Sequence, residues 1–240
     1  MELTLGSLAA AAAATLIGAT IQSSIGFGMN LVVVPVLALV LPESLPATAV
    51  LLGFPMSVAM LLHEHHAVDR AGVGWILLGR VPGTALGAWV VVAVSVDTLA
   101  VLIGVSVLLA VLLSLFAPPV RLTRPNAVLA GAASGTTGTA AGIGGPPLAL
   151  LYQHQPGPTI RSTLAASFFF GTLLSITTLA IAGEVLAADV ALVAGLLPAV
   201  VLGSLLGRRM HAVLDRAWLR PAVLAFAAIS AVVVIVDAIV

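Results

Sequence analysis

The chain of 240 residues contains no cysteine and no lysine. The first absence excludes disulfides, thiolate chemistry and cysteine metal sites. The second leaves arginine as the whole basic complement, nine residues balanced by nine acids for a net charge of zero. Without a basic patch, a nucleic-acid partner is excluded. Charged residues make up only 8% of the chain, where a soluble domain carries about 25%. Apolar residues reach 61% and mean hydropathy is +1.23. Such a chain cannot cover a water-facing surface with polar groups. Residues 3–42, 98–120 and 162–183 hold no charge at all, which is the signature of membrane helices. The opening Met1-Glu2-Leu3 lacks a basic n-region, so the apolar run behind it is expected to be a retained membrane segment and not a cleaved signal.

What is present is a series of hydrophobic segments punctuated by glycine and proline. Segments 46–62, 73–94, 98–117, 162–182, 189–207 and 219–238 approach the roughly 20 residues that cross about 30 Å of hydrocarbon. Four others form two pairs. Segments 4–22 and 31–41 flank Ser23-Ser24-Ile25-Gly26-Phe27-Gly28-Met29-Asn30, and 126–141 and 147–152 flank Gly142-Ile143-Gly144-Gly145-Pro146-Pro147. Glycine and proline at this density break helices. A shift of 116 residues, the separation of Gly26 from Gly142, also places Gly28 on Gly144, Pro82 on Pro198 and Gly87 on Gly203. Two repeats follow, 1–120 and 121–240, together forming one transmembrane domain.

Two topologies compete. If each broken region makes one crossing, the halves are parallel and the loop arginines divide between faces, Arg70, Arg121 and Arg124 against Arg161, Arg208, Arg209, Arg216 and Arg220. If each broken region is a re-entrant hairpin, the halves are inverted and all eight lie on one face, with Arg80 able to snorkel toward it. The opposite face then carries Glu2, Glu43, Asp97, Glu184, Asp189 and Asp237. The positive-inside rule favours the second arrangement and puts both termini outside the cytoplasm. Segment 4–22 is long enough to cross alone, and two full crossings in each broken region would keep the same parity, but the other arms, of about 6 to 11 residues, are too short to span as helices. The expected fold is therefore an all-α polytopic membrane protein of two inverted repeats, each a Gly-broken re-entrant helical hairpin plus three transmembrane helices.

Irregular backbone in a membrane must be answered by protein or ligand. Helix arms starting near Gly28 and Gly145 would aim their first N–H groups at the bilayer centre, where a helix start attracts an anion. Gly26, Gly28, Gly142, Gly144 and Gly145 would let a substrate approach the backbone. Gln22, Ser23, Ser24 and Asn30 in the first half, and Thr136, Thr137 and Thr139 in the second, offer donors to a sulfonate, sulfite or carboxylate. The competing role for such small and hydroxylated residues is tight helix packing. Arg80 and Arg161 are candidates for a cytoplasmic vestibule, with snorkelling and anchoring as their alternatives. Gly79, Pro82, Gly83 and Pro198 suit kinks and close packing. The loop cluster His63, Glu64, His65, His66 and Asp69 lacks defined metal-ligand geometry and reads as a solvated loop. No cofactor is expected. No nucleophile and base arrangement or paired membrane carboxylates suggest an enzyme.

In Gln22-Ser23-Ser24-Ile25-Gly26-Phe27-Gly28 with Pro35, in Gly79-Arg80-Val81-Pro82-Gly83 with Gly87, and in Gly138 through Gly142-Ile143-Gly144-Gly145-Pro146-Pro147, the sequence resembles the sulfite exporter TauE/SafE family of permeases. The resemblance runs from about residue 8 to 238, and the family's second motif often has a third glycine where Pro146 stands. It implies a multi-pass protein of the prokaryotic plasma membrane that moves sulfite, sulfonates such as sulfoacetate, or organic carboxylates, mainly outward. Partners are then a small anion and membrane lipid, with room for a homo-oligomer. An anion channel-like or structural membrane protein is the alternative reading.

Overall fold

The computed structural model describes residues 4–116, 120–209 and 219–239, and within them the side chains of 219–223, 237 and 239 are not described. Glu2 and Arg216 therefore lie outside the described residues, as do the side chains of Arg220 and Asp237. The described chain is helical throughout. α1 is Leu5–Ile25, α2 Met29–Val40, α3 Ala47–Leu61, α4 Arg70–Ala93 and α5 Val96–Phe116; α6 is Arg124–Ala140, α7 Gly145–Tyr152, α8 Gly157–Ile181, α9 Ala187–Arg209 and α10 Leu219–Ile239. Among the described residues five helices, α1, α4, α5, α8 and α9, are long and apolar enough to cross a membrane. The protein is an all-α, multi-spanning membrane protein.

Two expectations about segment length change. The 21 residues of α1 make it a full-length helix, since Ser23 and Ser24 continue it to the first glycine that breaks it. In contrast, α3 holds 15 residues, roughly 22 Å, because Pro46 starts it late and the chain turns away after Leu61. Both expected breaks are present and narrower than the sequence suggested. The first is confined to Gly26, Phe27 and Gly28, where both glycines take left-handed backbone (φ 101° and 113°) that a side chain disfavours. The second runs from Ala141 to Gly144. Pro146 and Pro147 belong to the first turn of α7, where their missing N–H groups leave no helical bond unmade.

Cross-repeat packing follows a regular exchange. The 116-residue shift carries α1 to α5 onto α6 to α10. α4 packs on α6, and the matching pair α9 packs on α1; α3 lies against α9 as α8 lies against α4. α3 and α8 meet each other, as do α5 and α10. Small residues make these approaches close. A Cβ on Gly79, Gly83 or Gly131 would collide with backbone carbonyls of Val128, Ala132 and Ile76 respectively, so α4 and α6 touch backbone to backbone. Gly203 and Gly207 play this part between α9 and α1, against Leu16 and Thr20. Such contact drives helix association where water supplies no hydrophobic force.

Polar contacts at the helix ends fix directions. Thr48, at the start of α3, donates to Asp189 Oδ1 at the start of α9 (3.2 Å). Past the end of α3, His63 pairs with Arg208 at the end of α9 (2.8 Å), so these two helices run the same way. Asp69 caps α4 by accepting from Gly72 N (2.9 Å), and its own N–H donates to Thr163 in the first turns of α8 (3.0 Å). Asp69 also accepts from Tyr152 Oη at the end of α7 (2.8 Å). Hence α4 and α8 start at the end where α3 and α9 finish.

Candidate functional site

The two breaks face each other, joined by a side chain from one to the backbone of the other. Asn30, in the first turn of α2, donates through Nδ2 to Gly142 O in the second break (2.6 Å) and to Ala49 O on α3 (3.0 Å). Gln22 closes the first break from within, its Oε1 accepting from Met29 N (3.1 Å). In the second break Ser134 Oγ donates to Gly144 O (2.6 Å) and Thr137 Oγ1 to Ile143 O (2.7 Å). Irregular backbone is thus answered in part by side chains and in part by backbone of the flanking helices, as an apolar surrounding requires. Fewer helix-start donors remain than the sequence suggested. Met29 N–H is engaged, and Pro146 and Pro147 deprive α7 of two donors in its first turn.

Arg80 supplies what the helix starts lack. It lies in the middle of α4 and is 3% exposed. It therefore does not snorkel to the surface: its side chain turns into the bundle and crosses to α6 and α8. Nη1 donates to Ser134 Oγ (3.0 Å), the hydroxyl that also holds Gly144. A Cβ on Gly138 would stand 3.2 Å from Gly144 Cα and 3.3 Å from Arg80 Nη2, and one on Gly171 would collide with Arg80 Nε. Two glycines on neighbouring helices therefore make the slot through which the guanidinium reaches the second break. Among the described residues its Nε has no hydrogen-bond partner and no carboxylate pairs with it. A buried cation without a counter-charge is costly by several kcal/mol, and it is a standing attraction for an anion.

A cavity of about 60 Å³ lies beside this group, bounded by Gln22, Asn30, Arg80, Gly138, Gly144 and Phe168. That is room for a small ion or a few waters, each of which requires roughly 10–15 Å³. Of the residues singled out from sequence, Gln22, Gly28, Asn30, Gly142, Gly144, Gly145 and Arg80 line it. Ser23 and Ser24 turn the other way, donating to Ser204 O (2.9 Å) and Gly207 O (3.0 Å) on α9. Thr139 is one step removed, bonded to the wall residue Ser175 (2.8 Å), and Ser175 donates to Gly171 O (3.0 Å). Thr136 binds Gly83 O on α4 (3.1 Å). Gly26 is covered by Arg161, whose Cγ would be 3.3 Å from an added Cβ.

Arg161 is not in the cavity wall. Its Nε donates to Glu64 Oε1 (2.8 Å), with about a fifth of each side chain exposed. With His63 on Arg208 and Asp69 on Tyr152 and Thr163, the loop expected to be merely solvated fastens α3 and α4 to α7, α8 and α9. Sequence reading missed Ser134, Gly171, Thr172 and Ser175 as parts of the site. Small residues within apolar helices carry no local sign of which one a distant arginine will need. The signal for Arg80 itself was available, since an ionisable residue within a membrane segment marks a functional site by default.

The family model described as "Sulfite exporter TauE/SafE" matches residues 10–234. No curated protein matches the chain. No solved structure matches it either.

Proposed function

We propose, from the premise that this chain belongs to the sulfite exporter TauE/SafE family, that its substrate is a small oxyanion held at Arg80 between the two helix breaks. The protein is a polytopic membrane transporter and not an enzyme. One observation carries the anion reading: a guanidinium buried in the helix bundle, with an unpartnered Nε and a cavity that its side chain helps to line. Gln22, Asn30 and the glycines of both breaks complete the wall, with Gly145 N–H as a further donor at the start of α7.

Alternating access between two inverted repeats is the mechanism that fits. It is supported by the opposed directions of matched helices: α3 and α9 start where α8 and α4 end. Arg70, Arg161, Arg208 and Arg209 gather at the end where α4 and α8 start, and Glu43 and Asp189 at the other, which makes the arginine end cytoplasmic by the positive-inside rule. On this reading both termini are outside and the membrane is the plasma membrane. A monovalent anion leaving a cell that is negative inside gains about 2.3 kcal/mol per 100 mV. Export can then proceed without a coupled ion.

The test is flux in proteoliposomes with sulfite, sulfoacetate, taurine and simple carboxylates under an imposed potential. Saturable, potential-sensitive flux is expected, reduced at least about 100-fold in Arg80→Gln and partly retained in Arg80→Lys, as for loss of a charged hydrogen bond of roughly 3 kcal/mol. Wild-type rates in Arg80→Gln would refute the site. Unsaturable flux would make the protein channel-like.

A further inference from the structure

Asn30, a residue of the cavity wall, holds a hydrogen-bond acceptor that no protein group answers, which is the wrong polarity for a bare anion. Its Nδ2 has two hydrogens, and both are committed: one to Gly142 O at 2.6 Å, the other to Ala49 O at 3.0 Å. Turning the amide over would bring its oxygen against two carbonyl oxygens, so the orientation is fixed. Oδ1 is therefore held in place, and it is buried without a partner. Asn30 shares the cavity with Arg80. A buried acceptor left unsatisfied is destabilising, and native structures rarely leave one without a reason.

Resting on the oxyanion reading above, we propose that Asn30 makes the site selective for anions that carry their own hydrogen-bond donor, namely monoprotonated oxyanions of the hydrogensulfite or hydrogencarbonate type. The negative oxygens of the substrate face Arg80 and its O–H donates to Asn30 Oδ1. One cation and one acceptor then match one negative charge and one proton. A fully deprotonated dianion would meet a single guanidinium and a repelling amide oxygen. A monoanion lacking O–H would leave Oδ1 orphaned. Discrimination of this kind is strong, because a site built to bond a substrate hydroxyl rejects the analogue without it.

Isosteric pairs test the proposal with the native protein. Hydrogencarbonate and acetate differ by OH against CH₃ at equal charge and near-equal shape, as do hydrogensulfite and methanesulfinate. Each is used as a competitor of labelled sulfite efflux from proteoliposomes. The O–H member of each pair is expected to inhibit about tenfold or more strongly than its methyl counterpart. Asn30→Leu is expected to bring the two members within about twofold of each other, and Asn30→Asp is the second variant should the leucine form not fold. Equal inhibition within both pairs by the native protein would overturn the selectivity while leaving the oxyanion carrier intact. If no member competes with sulfite, the carrier reading fails as well.

Discussion

Arg80 and Leu196 occupy equivalent positions in equivalent helices, and nearly everything around them differs. Leu196 is 1% exposed and packs among Met29, Val33, Leu52 and Met56, whereas Arg80 crosses to a cavity. The neighbours change in step. Ser134, which holds both Arg80 and Gly144, is matched by Gly18. Gly138, which makes room for the guanidinium, is matched by Gln22, whose amide oxygen accepts from Met29 N. Gly171 is matched by Pro55. Helices related by the 116-residue shift thus make matching contacts, while the side chains at matched positions differ. On the proposed mechanism, this pattern supplies the two equivalent ways to pack that alternating access requires, and the one cation that a single anion needs.

The strongest way to break this comparison is to make the halves alike. Leu196→Arg would bury a guanidinium in a filled apolar cluster with neither a glycine slot nor a serine acceptor. An uncompensated buried charge costs on the order of 3–5 kcal/mol or more, so most of this variant should fail to fold, read as loss of the monodisperse fraction in detergent. Arg80→Leu removes an unpaired buried charge and should melt no lower than the parent while losing flux. If Leu196→Arg is as stable as the parent, the two environments are not distinct in the way described.

Comparison with the sequence shows which features were legible. Glycine and proline clusters marked both breaks, and helices related by the 116-residue shift make matching contacts. Which way each hydroxyl points was not legible. Ser23 and Ser24 sit beside Gly26 in the chain, but the helix continues to Ile25, and its turn of about 100° per residue aims them at α9. The same limit affected Arg80. Its position in an apolar segment was plain, but its direction depended on glycines 58 and 91 residues further along the chain, at 138 and 171. The end of α1 was misjudged, where a serine pair extends the helix to Ile25, whereas α7 starts at Gly145 as expected.

Gly171 against Pro55 sharpens the comparison with a smaller change. A methyl group at Gly171 would collide with Arg80 Nε, and the guanidinium would have to leave its slot. Gly171→Ala should lower flux by about tenfold or more, since misplacing a binding group by about 1 Å can cost 100-fold in rate. Pro55→Ala, at the matched position where no cation passes, should stay within about twofold. A protein carrying Gly171→Ala with parental flux would mean that Arg80 does not act from the position seen here.

The smallest effect is expected at the Glu64–Arg161 pair, where the halves differ again: the matched positions, Ala180 and Leu45, are apolar. The pair ties the loop after α3 to the start of α8, and Arg161 covers the turn at Gly26, so it links one end of the molecule to the first break. Partly exposed ion pairs contribute about 0–1 kcal/mol. Glu64→Gln should therefore hardly alter the melting temperature. A bias of up to about 1 kcal/mol between two conformations still shifts their ratio by roughly fivefold. Ser175→Cys would place the sole thiol of this chain in the cavity wall. Its labelling rate from the arginine-rich face should rise by up to that factor when Glu64→Gln is added, and fall from the opposite face. Unchanged rates from both faces would show that the pair fastens the loop without weighing on which end opens.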